Sequence, residues 1–108
     1  MMEFAIIAYD AKDDGALARR MAAREPHLAI VKDLRAKGNM IHGGALLDDD
    51  GQMIGSIMIV TFPDRAAFDA WYNNDPYVTQ NVWQDVTITP FKTAPSFVEN
   101  IPKAAVGA

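Results

Sequence analysis

Glu3 to Asp10 opens the chain as a strand-like run, with aromatic or β-branched Phe4, Ile6, Ile7 and Tyr9, and the turn-prone Ala11-Lys12-Asp13-Asp14-Gly15 stops it. Ala16 to Arg24 consists of good helix formers, with Leu17 and Met21 four apart, and predicts a short helix that Pro26 interrupts. A new helix is expected to begin at Pro26, because proline is tolerated in a first turn; Leu28, Val31 and Leu34 fall at i, i+3 and i+6, with Lys32, Arg35 and Lys37 turned elsewhere. Gly38 follows the basic last turn as a residue that accepts positive φ. Asn39 to Leu47 and Met53 to Phe62 are two apolar runs joined by Asp48-Asp49-Asp50-Gly51-Gln52, the pattern of a hairpin with a glycine-containing loop. After Pro63, Asp64 is a candidate N-cap for a helix carrying Ala67, Phe68 and Trp71, which Asn73-Asn74-Asp75-Pro76 ends. A short segment from Tyr77 to Val82 precedes a last strand, Gln84 to Lys92, with Val86 and Ile88 alternating and Pro90 near its end.

Strand, helix, strand, strand, helix, strand is the ferredoxin-like βαββαβ order, an α+β fold in which a four-stranded antiparallel sheet carries helices on one face. No element of the chain is left to cover the other face, although Ile57, Ile59, Val86 and Ile88 carry apolar patterns through the strands. A second copy of the chain, sheet against sheet in a symmetric homodimer, is the economical cover. Residues 1–93 are expected to form this domain. Residues 94–108 form a C-terminal extension whose Phe97, Val98 and Ile101 could pack on the partner, with Lys103 to Ala108 frayed.

Composition narrows the function classes. With 108 residues, 50% of them hydrophobic and 22% charged, the chain has room for one domain and a core, and disorder is excluded. It has no cysteine, so there is no disulfide framework, thiolate metal cluster or cysteine nucleophile. Fourteen acidic against ten basic residues give a net charge of -4, and the scattered basic residues form no stripe for nucleic acid. No apolar run approaches the ~20 residues that span a bilayer, and Met1-Met2-Glu3 is no basic signal start, so a cytoplasmic location away from membranes is expected.

His27 is the first candidate for chemistry. At the start of a helix, unpaired N–H groups and the positive end of the dipole would keep its ring neutral and available as a base. Asp75, in the Asp75-Pro76-Tyr77 turn, is the natural carboxylate to orient it, since both helices lie on one face of the sheet. The plainer reading makes His27 a cap of its own helix and Asp75 a cap of the segment after it. Spacing alone leaves both open.

Arg24-Glu25-Pro26-His27-Leu28, Gly55-Ser56 opening a strand, Ala70-Trp71 with Asp75-Pro76-Tyr77, and Pro90-Phe91-Lys92 stand in the order of similar segments in YciI-like (YCII-related) proteins. The chain resembles that family from Glu3 to about Lys92. The resemblance implies a dimeric α+β barrel and an active site built on a His–Asp pair, which carries over to His27 and Asp75 as catalytic residues and to Ser56 and Tyr77 as substrate-binding ones. Gly43-Gly44 stands where the family usually has Gly-Pro, and the hairpin loop is short. Both changes border the pocket, so the substrate stays open. The resemblance also implies cofactor-independent lyase or isomerase chemistry on a small cyclic or aromatic substrate, of the kind seen in muconolactone isomerases and in dehydrochlorinases of hydroxylated aromatics.

His42 is expected as a packed or solvated strand residue on the face opposite Ile41, and joint metal binding by His27 and His42 lacks a third ligand of characteristic spacing. Asp48-Asp49-Asp50-Gly51 lacks the closing Glu of a calcium loop, and Gly43-Gly44 and Gly55 lack the Lys-Ser/Thr of a phosphate loop. No cofactor and no metal are expected. Tyr9, Phe62, Phe68, Trp71, Tyr72 and Trp83 read mostly as core, and Ser56, with no nucleophile elbow around it, as a hydrogen-bonding partner of substrate or of Asp75. Two further readings stand beside the enzyme: a dimeric module that binds a small ligand or regulates without turnover, and a structural dimer in which the His–Asp contact is only packing.

Overall fold

In the computed structural model, which describes residues 1–102, four antiparallel strands form one sheet in the order β2-β3-β1-β4. They are β1 (Met2–Asp10), β2 (Met40–Leu47), β3 (Met53–Phe62) and β4 (Trp83–Phe91); the helices are α1 (Ala16–Ala36), α2 (Arg65–Tyr72) and the single turn α3 (Pro76–Thr79). This is the ferredoxin-like arrangement expected from the order of elements. Lys103 to Ala108, expected to fray, lie outside the described residues. Among the described residues no helix is long and apolar enough to cross a membrane.

Local signals act as the sequence predicts at most boundaries. Asp64 caps α2, its carboxylate accepting from the Ala67 N–H at 2.8 Å. Gly38 follows α1 with φ +86°, a value that L side chains resist. The Asp48 to Gln52 loop closes on itself, with the Asp48 side chain accepting from the Asp50 and Gln52 N–H groups.

One expectation is corrected. Pro26 does not divide two helices: α1 runs unbroken for 21 residues with Pro26 inside it. An interior proline removes one backbone hydrogen bond and costs about 3 kcal/mol. Burial offsets that cost, because Ala16, Arg20, Ala23, His27 and Leu34 form one continuous buried face of α1 against the sheet, while Pro26 itself is solvent-exposed. His27 therefore lies in mid-helix, where the dipole argument, confined to the first and last turns, does not reach it. It is no cap either, since α1 starts after Gly15 without a side-chain cap.

The core sits between helices and sheet. Phe4, Ile6 and Ala8 of β1 point into it and stand beside Met58 and Val60 on one side and Ile88 and Val86 on the other. Val86 and Ile88 thus belong to the helix-covered face, and only Ile57 and Ile59 continue the apolar pattern on the open one, because the β4 register pairs Val86 with Ala8 and Ile88 with Ile6. On the open face Ile7 pairs with Ile57, and Ile7, Tyr9, Ile57 and Phe91 are exposed. Tyr9 is therefore not core. Past β4 the chain is held by Thr93, whose N–H and hydroxyl both donate to Glu3, and continues into a 3-10 turn over Pro95–Asn100.

Backbones approach closely where β3 passes β1: a Cβ added at Gly55 would stand 2.3 Å from the Ala8 carbonyl oxygen. Gly55→Ala is expected to lower stability by about 1–3 kcal/mol, the usual cost of forced overpacking, read as a fall in the thermal midpoint. An unchanged midpoint would show that the strand pair can part at no cost.

Candidate active site

Three helices deliver side chains to one point above the sheet. Asp75 is the N-cap of α3, and its Oδ1 accepts from the Tyr77 N–H at 2.9 Å. The same oxygen lies 2.8 Å from His27 Nδ1, and Oδ2 accepts from Trp71 Nε1 at 3.2 Å. Asp75 is completely buried and His27 nearly so. The Trp71 and Tyr77 N–H groups match a carboxylate that accepts. Facing the same carboxylate, His27 Nδ1 is the donor of that contact, and Nε2 is the ring nitrogen that the carboxylate leaves free. The capping and pairing readings of Asp75 prove compatible, since one carboxylate does both.

Tyr77 stacks on His27 with ring centroids 3.8 Å apart and planes within 13°. Burial pushes its hydroxyl pKa up, with the Arg20 and Arg24 charges pulling against the shift. Ser56 lies on β3 beside this pair, but it does not reach Asp75. Its hydroxyl oxygen accepts from Arg20 Nη2 at 2.8 Å and from Trp83 Nε1 at 3.2 Å instead.

Both rings and the Ser56 side chain meet an open cleft. His27, Ser56 and Tyr77 line a cavity of about 680 Å³ between α1 and the β2–β3 edge of the sheet, a volume within the range of small-molecule sites. Leu28, Val31, Ile41 and Met58 supply apolar wall. Asp75 stands behind His27, away from the cleft lining. His42 is exposed, as expected, and also reaches the cleft. Among the described residues no three His, Asp or Glu side chains gather as a metal site would require.

Arg20 is the residue that sequence reasoning missed. It is almost completely buried, and its Nη1 donates to both oxygens of the buried Asp10 at 3.0 Å. Its guanidinium also stands 4.7 Å over the Tyr77 ring. Burial raises the Asp10 pKa, opposed by the charge and hydrogen bonds of Arg20. The signal was present, since Arg20, Ala23, His27 and Leu34 follow helical spacing. A helix assumed to break at Pro26 conceals that they share one face.

The fold and the imidazole–carboxylate pair beside a cleft are those of a ferredoxin-like α+β protein with its candidate site between helix and sheet. The chain belongs to the YCII-related domain family, which it matches over residues 2–92. It is 33% identical over 97 residues to the protein YciI of Escherichia coli, covering 84% of this chain and 97% of that one. Among solved structures it is similar to the 5-chloro-2-hydroxyhydroquinone dehydrochlorinase of Burkholderia phenoliruptrix in complex with 2,5-dihydroxybenzoquinone, with a TM-score of 0.74, 25% identity and coverage of 88% of this chain and 98% of that one. A dimeric ferredoxin-like protein of unknown function from Jannaschia shares the fold at a TM-score of 0.52 and 15% identity, covering 86% of this chain and 100% of that one.

Arg20→Met would strand the Asp10 carboxylate in the interior, and a loss of about 3–5 kcal/mol is expected in urea unfolding; adding Asp10→Leu should recover much of it. The acid side has a definite sign. Because the folded-state pKa of Asp10 lies above its ordinary 3.8, the folded protein holds that proton longer than the unfolded chain. The Asp10 contribution therefore declines as pH rises from near 4 through the raised value, then levels off. Unfolding curves that show the Asp10-dependent part increasing over that range would contradict this environment.

Proposed function

We propose that this chain is a cofactor-independent enzyme in which His27, oriented by Asp75, moves a proton on a small cyclic or aromatic substrate held in the cleft. The observation that carries the reading is the 2.8 Å His27–Asp75 contact on the wall of an open cavity of small-molecule size. With Nδ1 held by the carboxylate, Nε2 is the atom available to take a proton from a C–H or O–H beside a carbonyl. Returning that proton at a different atom is an isomerisation. Leaving it on His27 while a halide departs is an elimination, and the similarity to a dehydrochlorinase supports chemistry of that kind. Tyr77, whose raised pKa keeps its hydroxyl protonated at neutral pH, and Ser56 would donate hydrogen bonds to substrate oxygens.

Chloride release from 5-chloro-2-hydroxyhydroquinone and a panel of related hydroxylated chloroaromatics tests this. His27→Ala is expected to lower kcat/KM by roughly 10²–10⁴, the usual share of general acid–base catalysis, and Asp75→Asn to lower it in the same sense. Turnover unchanged in both variants would end the proposal. A ligand that binds the cleft and is recovered chemically unaltered would favour the binding module instead.

The working form would be a homodimer, sheet face against sheet face. Ile7, Tyr9, Ile57 and Phe91 form an exposed apolar patch on that face, and a ferredoxin-like protein of the same fold is dimeric. The extension beyond residue 93 would pack on the partner, where Phe97 and Val98, 58% and 48% exposed, find cover. Light scattering should give a dimer mass at micromolar concentration for the wild type and a monomer mass for Ile57→Asp. A monomeric wild type would refute it.

A further inference from the structure

The cleft differs from the rest of the molecule in its charge. Arg20, Arg24, Lys32 and Arg35 stand along its wall with both histidines, and no Asp or Glu lines it among the described residues, although the chain as a whole carries a net charge of -4. Not all of these cations are available. Arg20 is held by Asp10 and Ser56, and Arg35 Nη1 donates to the Met40 and Ile41 carbonyls. Lys32 is exposed to solvent. Arg24 is different: it is half-buried, lies one helical turn from Arg20 and from His27, and pairs with no carboxylate among the described residues.

The Arg20 guanidinium stands 4.7 Å over the Tyr77 ring, which stacks on His27, so a cation already lies beside the ring pair at the cleft wall. Burial raises the Tyr77 hydroxyl pKa, and the charges of Arg20 and Arg24 oppose the shift. Low-dielectric walls lined by one sign of charge focus the field on whatever enters. A guanidinium fork matches two oxygens of an anion in one plane. The apolar wall of Leu28, Val31 and Met58 suits a flat hydrocarbon body beside it.

We propose that the cleft takes a small ring compound bearing a negatively charged oxygen group, a carboxylate or a ring oxyanion, and that Arg24 is the residue that recognises the anion. This names the substrate class of the proposed site and rests on the cleft being the substrate site, but it does not require His27 to act as a base.

Calorimetric titration with benzoate, para-nitrophenolate and neutral benzamide tests it. At least one of the two anions should bind about tenfold or more tightly than benzamide, with an affinity that falls as salt is raised. Which anion prevails distinguishes a carboxylate ligand from a ring oxyanion. Arg24→Gln, which keeps a good helix former on α1, should erase the preference and leave benzamide binding where it was, and Arg24→Lys should restore part of it. His27→Ala should retain the preference, so a failed acid–base reading and a failed anion reading give different results. Benzamide binding as tightly as both anions, neither anion binding at millimolar concentration, or Arg24→Gln with unchanged anion affinity would each overturn the proposal. The first two are read on the unmodified protein and do not depend on any variant folding.

Discussion

The Asp75 carboxylate, shut off from solvent, accepts an N–H from each of three helices: the His27 ring of α1, the Trp71 indole of α2 and the Tyr77 backbone of α3. A buried carboxylate without partners costs several kcal/mol, so each of the three donors helps to hold the helix layer together. The height of α1 on the sheet, the end of α2 and the start of α3 are therefore tied to one group. The interaction that organises the helices is the same one that sets the imidazole tautomer and aims its free nitrogen away from the carboxylate.

A second polar network lies alongside. Arg20 joins the end of β1, through Asp10, to the middle of β3, through Ser56, and Trp83 at the start of β4 closes on the same hydroxyl. Tyr77 touches both systems, stacked on His27 and lying under the Arg20 guanidinium. Polar groups buried so densely in a domain of this size are expensive unless they find partners, and here all but the Arg20 Nε find them across three strands and three helices. The apolar core meanwhile lies towards Phe4, Phe62 and Phe68, where ring-to-ring contacts replace hydrogen bonds. One end of the helix–sheet layer is thus built for cohesion and the other for polar chemistry.

Pro26 shows how these demands are met within one element. It faces solvent, where its missing N–H is least costly, and the opposite face of the same stretch carries Ala23 and His27 inward. A helix that broke there would separate Arg20 from His27 and leave the cleft wall without its regular spacing of charged and aromatic groups.

Much of the fold was legible from neighbours in the chain. The Asp48 to Gln52 loop, the Asp64 cap, the Gly38 stop and the strand runs follow from preferences acting over a few residues, and their order leads to the ferredoxin-like arrangement. His27 and Asp75 could be named as candidate partners from their places in the chain, and the family resemblance marked the same pair. Spacing alone could not choose between that contact and two separate caps, since the residues are 48 positions apart and meet only because α1 and α3 pack together. The burial of Arg20 with Asp10, the inward turn of Val86 and Ile88, and the continuity of α1 through Pro26 were likewise decided by the tertiary structure. Each depends on which surfaces are removed from water together, and local propensities of a kcal/mol or so give way when burial and charge pairing offer several.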